Sequence, residues 1–102
     1  MRQLHHPELE TVALSAILHA LSDPVRLQIV RTLSESGEQC CGACGPDIPK
    51  PTMSHHFKVL REAGVLFVRA EGTQRCISLR SSELNDRFPG LLPAVLNAPP
   101  PL

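Results

Sequence analysis

The sequence contains no tryptophan, no tyrosine and only three phenylalanines, Phe57, Phe67 and Phe88. Single-stranded nucleic acid is held largely by bases stacked on aromatic rings, so a chain this poor in aromatics is not built for it, and duplex DNA remains as the polymer to consider. Net charge is absent as well, with ten Lys and Arg against ten Asp and Glu, which argues against a protein that is basic everywhere. No apolar run approaches membrane-spanning length, and no charged segment followed by an apolar run and a small-residue cleavage site opens the chain. A soluble, cytoplasmic protein with no membrane partner is expected. A nucleotide-binding glycine loop, a Ser/His/Asp constellation and an HExxH motif are all missing, so enzymatic chemistry has no residues to stand on.

What is present is unevenly placed. Residues 1–49 hold three arginines against six carboxylates, whereas residues 50–80 hold Lys50, Lys58, Arg61, Arg69, Arg75 and Arg80 against only Glu62 and Glu71. That locally basic stretch is the electrostatic footprint phosphate binding requires. A chain of 102 residues makes one domain with a modest core, so any larger assembly must come from pairing. Four cysteines in a cytoplasmic chain read as reduced thiols, metal ligands or redox sensors rather than structural disulfides.

The stretch Pro51 to Val65, PTMSHHFKVLREAGV, reads as one short helix with Pro51 in its first turn and Gly64 just past its end. Met53, Phe57 and Leu60 recur at helical spacing, while Thr52, Ser54, His55, Lys58, Arg61 and Glu62 fall on the other faces. Small hydroxyl residues at the start, then His and Lys one turn apart, suit a helix that enters a DNA major groove. An ordinary surface helix is the alternative reading.

Glu8 to Leu21 is expected to form a first helix, with Leu14 and Leu18 as a second apolar strip beside the main stripe, which calls for more than one neighbour, the second from a partner subunit; a first helix buried all round in a monomer is the alternative. Asp23 and Pro24 are placed as N-cap and first residue of a second helix that runs to about Ser36 and ends at Gly37; Arg26 and Arg31 are read as exposed. Gln39–Cys44 is expected to hold at most a helical turn or two, followed by an irregular loop anchored by Ile48. Residues 65–70 and 76–80 have strand character and enclose a charged tip, Glu71 to Arg75, so the pair forms a hairpin wing with Arg75 in reach of a phosphate. A hairpin that touches nothing is the alternative. Pro89 and Pro93 break residues 82–96 into short helices, and APPPL is a tail. The fold class expected is mainly α with a small β-hairpin (α+β), residues 1–98 forming the DNA-binding domain and 99–102 a disordered tail.

Three thiols, Cys40, Cys41 and Cys44, lie immediately before the recognition helix. Soft thiolates favour zinc or copper(I), and three sulfurs suit a trigonal metalloid. Drawing them together, or oxidising them, would reshape the loop that leads to Pro51. The competing reading makes Cys40 or Cys41 a small buried apolar residue and leaves Cys44 idle. Cys76 is read as structural.

The runs Ala20 to Leu33, Pro51 to Leu66 and Glu71 to Arg80 together resemble the ArsR/SmtB-type winged helix-turn-helix repressors over roughly residues 10 to 96. The resemblance implies a homodimer paired through first and last helices, with Leu14, Leu18, Leu91, Leu92 and Val95 facing the partner, on an inverted-repeat operator. It implies that Thr52, Ser54, His55 and Lys58 contact DNA, and that His56 and Phe57 pack inward. Phosphate contacts are expected from Lys50, Lys58, Arg61 and Arg75. By the same resemblance the thiols would take trivalent arsenic or antimony as inducer. The family's usual Cys-x-Cys pair is broken here, with Glu38 at one of its two positions and Cys40 at the other, and residues 82–96 hold no His for the alternative zinc site. The readings carried forward are a repressor released by a thiol-binding metal or metalloid or by oxidation, a winged-helix regulator without a metal site, and a thiol-redox or protein-interaction module that does not control transcription.

Overall fold

The computed structural model describes residues 5–40, 50–71 and 74–99. Its elements are a 3-10 turn at Leu9–Thr11, then α1 (Leu14–Ala20), α2 (Pro24–Ser36), β1 (Gln39–Cys40), α3 (Lys50–Glu62), β2 (Leu66–Glu71), β3 (Gln74–Leu79), α4 (Ser81–Arg87) and α5 (Leu91–Leu96). The helices carry a three-stranded antiparallel sheet in the order β1-β3-β2, which is the winged helix-turn-helix arrangement. Among the described residues no helix is long and apolar enough to cross a membrane.

The expected first helix is interrupted. Thr11 turns its hydroxyl back onto the Glu8 carbonyl at 2.7 Å, and Val12 and Ala13 are extended before α1 begins. A β-branched residue that satisfies its own backbone in this way competes with helix formation. The break lets Leu9 and Val12 drop onto Gly64, where a Cβ would lie 2.5 Å from Leu9 Cδ2.

The second helix starts and stops as its caps dictate. Asp23 Oδ1 accepts from the N–H groups of Val25 at 2.8 Å and Arg26 at 3.2 Å, and the Gly37 N–H donates to the Leu33 carbonyl. α3 begins one residue earlier than expected, at Lys50, and ends in a left-handed turn at Gly64. There the Val65 N–H reaches back to the Leu60 carbonyl and the Gly64 N–H to that of Arg61. Leu60 and Val65, both fully buried, close the hydrophobic contact that accompanies this cap.

β2 and β3 pair from Leu66↔Leu79 to Glu71↔Gln74, so Glu71, Gln74 and Arg75 belong to the strands rather than to the tip. Gln39–Cys40, expected to be helical, is instead a short strand paired with β3 through Gln39↔Ile77 and Cys40↔Cys76. Open hydrogen-bonding groups on β3 decide this, since a waiting edge overrides weak local preference. Residues 41–49, and with them Cys41, Cys44 and Ile48, lie outside the described residues. The C-terminal segment is broken at Pro89, as expected, and at Gly90, whereas Pro93 does not break it and lies in the first turn of α5. α4 starts at Ser81, one residue before the expected segment.

Ile17, Ile29, Val30, Leu33, Leu60 and Leu66 lie at the centre of the core, where burying each aliphatic side chain contributes about 1.5–3 kcal/mol. Leu92 belongs to this core, and Leu91 and Val95 pack against it. Leu92, expected on the partner side, is therefore spent within its own subunit. Leu14 and Leu18 are 43% and 46% exposed.

Candidate nucleic-acid interface

α3 has two distinct sides. Met53, His56 and Leu60, spaced by three and four residues, are buried, whereas Thr52, Ser54, His55 and Lys58 are exposed. The polar set predicted to meet DNA therefore shares the outward surface, and His56 packs inward with the half-buried Phe57, as the resemblance implied. Lys50 opens the helix, but its side chain lies outside the described residues. Arg75, exposed on β3, pairs with Ala70 next to the hairpin tip.

Arg61 is differently placed. It is half-buried, and its Nη1 donates to the His5 carbonyl at 2.6 Å. It ties down an N-terminal strap that continues along the outer edge of the sheet. His6 Nε2 accepts the Val68 N–H at 2.9 Å, the His6 ring stacks on Phe67 with centroids 4.5 Å apart, and Arg80 Nη1 holds the Pro7 carbonyl. β2 is an edge strand, and this strap covers it.

Arg26, read from sequence as exposed, is 8% exposed and sits at the joint of the helix-turn-helix. Its Nε donates to the Ala20 carbonyl at 2.6 Å, and its Nη1 lies 3.3 Å from His56 Nδ1. A guanidinium can only donate, so Nδ1 is the acceptor and the imidazole proton resides on Nε2. One buried side chain thus links the end of α1, the start of α2 and the inner face of α3. Spacing held the clue, because Arg26, Ile29, Val30 and Leu33 form a single helical stripe.

Asp23 caps the same joint. Burial works against its charge, but the N–H groups of Arg26 and Val25 and the nearby Arg26 guanidinium outweigh it and hold the carboxyl below its ordinary value. A depressed folded-state value means that the carboxylate's stabilisation is complete at neutral pH and is lost as pH falls below about 4. Asp23→Asn keeps an oxygen acceptor without the charge. Its stability deficit relative to wild type should therefore shrink from about pH 7 to about pH 3 in thermal melts, and a constant deficit would show that the charge is immaterial.

The cysteines depart from expectation. Cys40 and Cys76, cross-strand partners in β1 and β3, are joined in a disulfide rather than being reduced thiols. Cys76 is 1% exposed and Cys40 half-buried. Above them Glu38 pairs with Arg69 at 2.9 Å. Of the proposed thiol set only Cys40 lies among the described residues, and sequence reasoning missed its partner because 36 residues separate the two.

Comparison with known proteins agrees with this architecture. Residues 23–66, from the α2 cap to the start of β2, match the family described as "Bacterial regulatory protein, arsR family". The chain is 44% identical over 79 residues to an uncharacterised HTH-type transcriptional regulator, YceK, of Bacillus subtilis, covering 74% of this chain and 79% of that protein. It is 38% identical over 76 residues to the arsenical resistance operon repressor of Staphylococcus xylosus, covering 71% and 70% respectively. Among solved structures, the transcriptional repressor BigR from Xylella fastidiosa superimposes with a TM-score of 0.60 at 34% identity, over 72% of this chain and 84% of that one. With its two-sided α3, its hairpin and these relatives, the chain belongs to the arsR family of bacterial regulatory proteins.

Proposed function

We propose that the protein is a cytoplasmic, homodimeric transcriptional repressor that binds an inverted repeat in double-stranded DNA. In this reading α3 enters the major groove, where Thr52, Ser54 and His55 meet base edges and Lys50 and Lys58 meet phosphates, while Arg75 on the hairpin reaches the flanking backbone. The observation that carries it is the division of α3, whose polar face is exposed while its other face is locked into the core by Leu60 and by Arg26 through His56. Arg61 contributes by holding the strap at the end of α3, and a phosphate contact would share that group. Pairing is supported by Leu14 and Leu18, exposed apolar side chains one turn apart on α1. Two recognition helices must sit about 34–36 Å apart to read successive major grooves, and a domain this small achieves that only as a dimer.

Release is assigned to thiol chemistry centred on Cys40, the described member of the Cys40, Cys41 and Cys44 set. A thiolate donor set suits zinc or a trivalent metalloid such as arsenic or antimony. Some relatives are arsenical resistance operon repressors, which supports the metalloid as inducer. Cys40 cannot serve such a site while bonded to Cys76, so oxidation and metalloid binding exclude each other.

The DNA reading is tested by salt. Lys58→Ala and Arg75→Ala should each weaken operator binding and reduce the slope of log K against log salt by about one unit for each phosphate left without its cation, while His55→Ala should alter base preference. Unchanged binding in all three variants would remove the assignment of α3 and the hairpin together.

A further inference from the structure

We propose that Glu38, Cys40 and Cys76 form a binding site for zinc at the base of the hairpin, opened when the Cys40–Cys76 disulfide is reduced. It differs from a site built on the consecutive thiols before α3, because its second sulfur comes from the wing strand. Any effect on DNA rests on the repressor reading above; metal binding does not.

Strand geometry places the donors. Cys76 faces Cys40 directly across the β1–β3 pair, and Glu38, just ahead of β1, brings its carboxylate beside the two sulfurs. Arg69, the β2 partner of Cys76, reaches over it to Glu38, so all four side chains gather on one face. One carboxylate oxygen and the two sulfurs lie within 4.8 Å of one another. Tetrahedral zinc, with bonds of about 2.3 Å to sulfur and about 2.0–2.2 Å to oxygen, needs the carboxylate somewhat closer than that limit and the two sulfurs farther apart than a disulfide bond, which reduction allows. Two thiolates and one carboxylate suit a borderline-soft dication and discriminate against magnesium and calcium, which take oxygen ligands. With three anionic donors around a doubly charged ion the site carries one excess negative charge, and the Arg69 guanidinium beside Glu38 offsets it.

The redox step balances with a dithiol as reductant. Its two electrons break the S–S bond, its two protons pass to Cys40 and Cys76, and it leaves as a disulfide. Zinc then displaces those two thiol protons.

The test uses the full chain without DNA, so its outcome is independent of the repressor reading. Chain reduced by a dithiol and then freed of it under anaerobic conditions is titrated with cobalt(II) as a spectroscopic stand-in, and the ion is then displaced by zinc. Expected are one tetrahedral, thiolate-ligated ion per reduced chain and none on the oxidised chain. Cys40→Ser and Cys76→Ser should each weaken binding more than about 100-fold, beyond what loss of an outer partner costs, and the exposed Glu38→Gln should weaken it at least about tenfold. Circular dichroism establishes that each variant is folded, and Glu38→Gln keeps the test valid should Cys76→Ser fail to fold. Wild-type binding by folded Glu38→Gln or Cys76→Ser, or equal binding by the oxidised chain, would each overturn the proposal.

Discussion

Arg26→Ala is expected to lower the free energy of unfolding by about 2–6 kcal/mol, because it strands two buried acceptors, the Ala20 carbonyl and His56 Nδ1, at about 1–3 kcal/mol each. The guanidinium also acts through its charge on the Asp23 carboxylate, whose hydrogen bonds go to the backbone of α2. Arg26→Lys should recover little, because a single ammonium cannot reproduce the two directions in which the guanidinium donates. A cycle with His56→Ala should give a coupling of about 0.5–3 kcal/mol, as expected for side chains that touch. Operator affinity should fall even where the variant stays folded, because α3 is deprived of the polar interaction that orients its inner face. Chemical denaturation reads the first effect and titration with duplex DNA the second. A loss of stability under about 0.5 kcal/mol, the level of an ordinary surface substitution, would show that the joint is held by apolar packing alone.

Leu18→Asp should leave the subunit folded but abolish pairing. Leu18 is 46% exposed, so a carboxylate there stays in water in the free subunit, whereas the adjacent Ile17 is fully buried and would not tolerate it. At a dimer seam the same carboxylate would be desolvated opposite its own copy, the most costly arrangement for like charges. Losing the second recognition helix removes the advantage of linked binding, about 10²–10⁴-fold in affinity for an operator with two half-sites. Sedimentation should show a monomer with native circular dichroism, and a mobility shift on the full operator should fall to that of a half-site. A variant that remains dimeric at micromolar concentration with wild-type operator affinity would move the interface away from α1.

How much of this is legible in the sequence depends on the range of the forces involved. Asp23, Pro24 and Gly37 delimit α2, and Met53, Leu60 and Gly64 delimit α3 and choose its inner face, because capping and helical periodicity act within a few residues of the chain. The hairpin is readable for the same reason, its strands being separated only by the tip. The basic face and the outward set Thr52, Ser54, His55 and Lys58 follow from sequence once the inner stripe is known.

Other features need partners distant in sequence. Arg26 reads as a surface residue because charge usually stays in water; its burial depends on the Ala20 carbonyl and on His56, 30 residues away, arriving at one place. Gln39–Cys40 has no strong preference of its own and becomes a strand only because β3 offers an open edge. The same pairing brings Cys40 to Cys76 and Glu38 to Arg69, and so joins one member of the thiol run to a cysteine of the wing strand. The strap behaves likewise, with His6 on the edge of β2 62 residues away at Val68. Local elements and their faces were thus determined by the sequence itself, through short-range sterics and hydrogen bonding. Which polar side chains became buried, and which cysteines met, was decided by tertiary packing, because the free energy of a buried polar interaction exists only once its distant partner is in place.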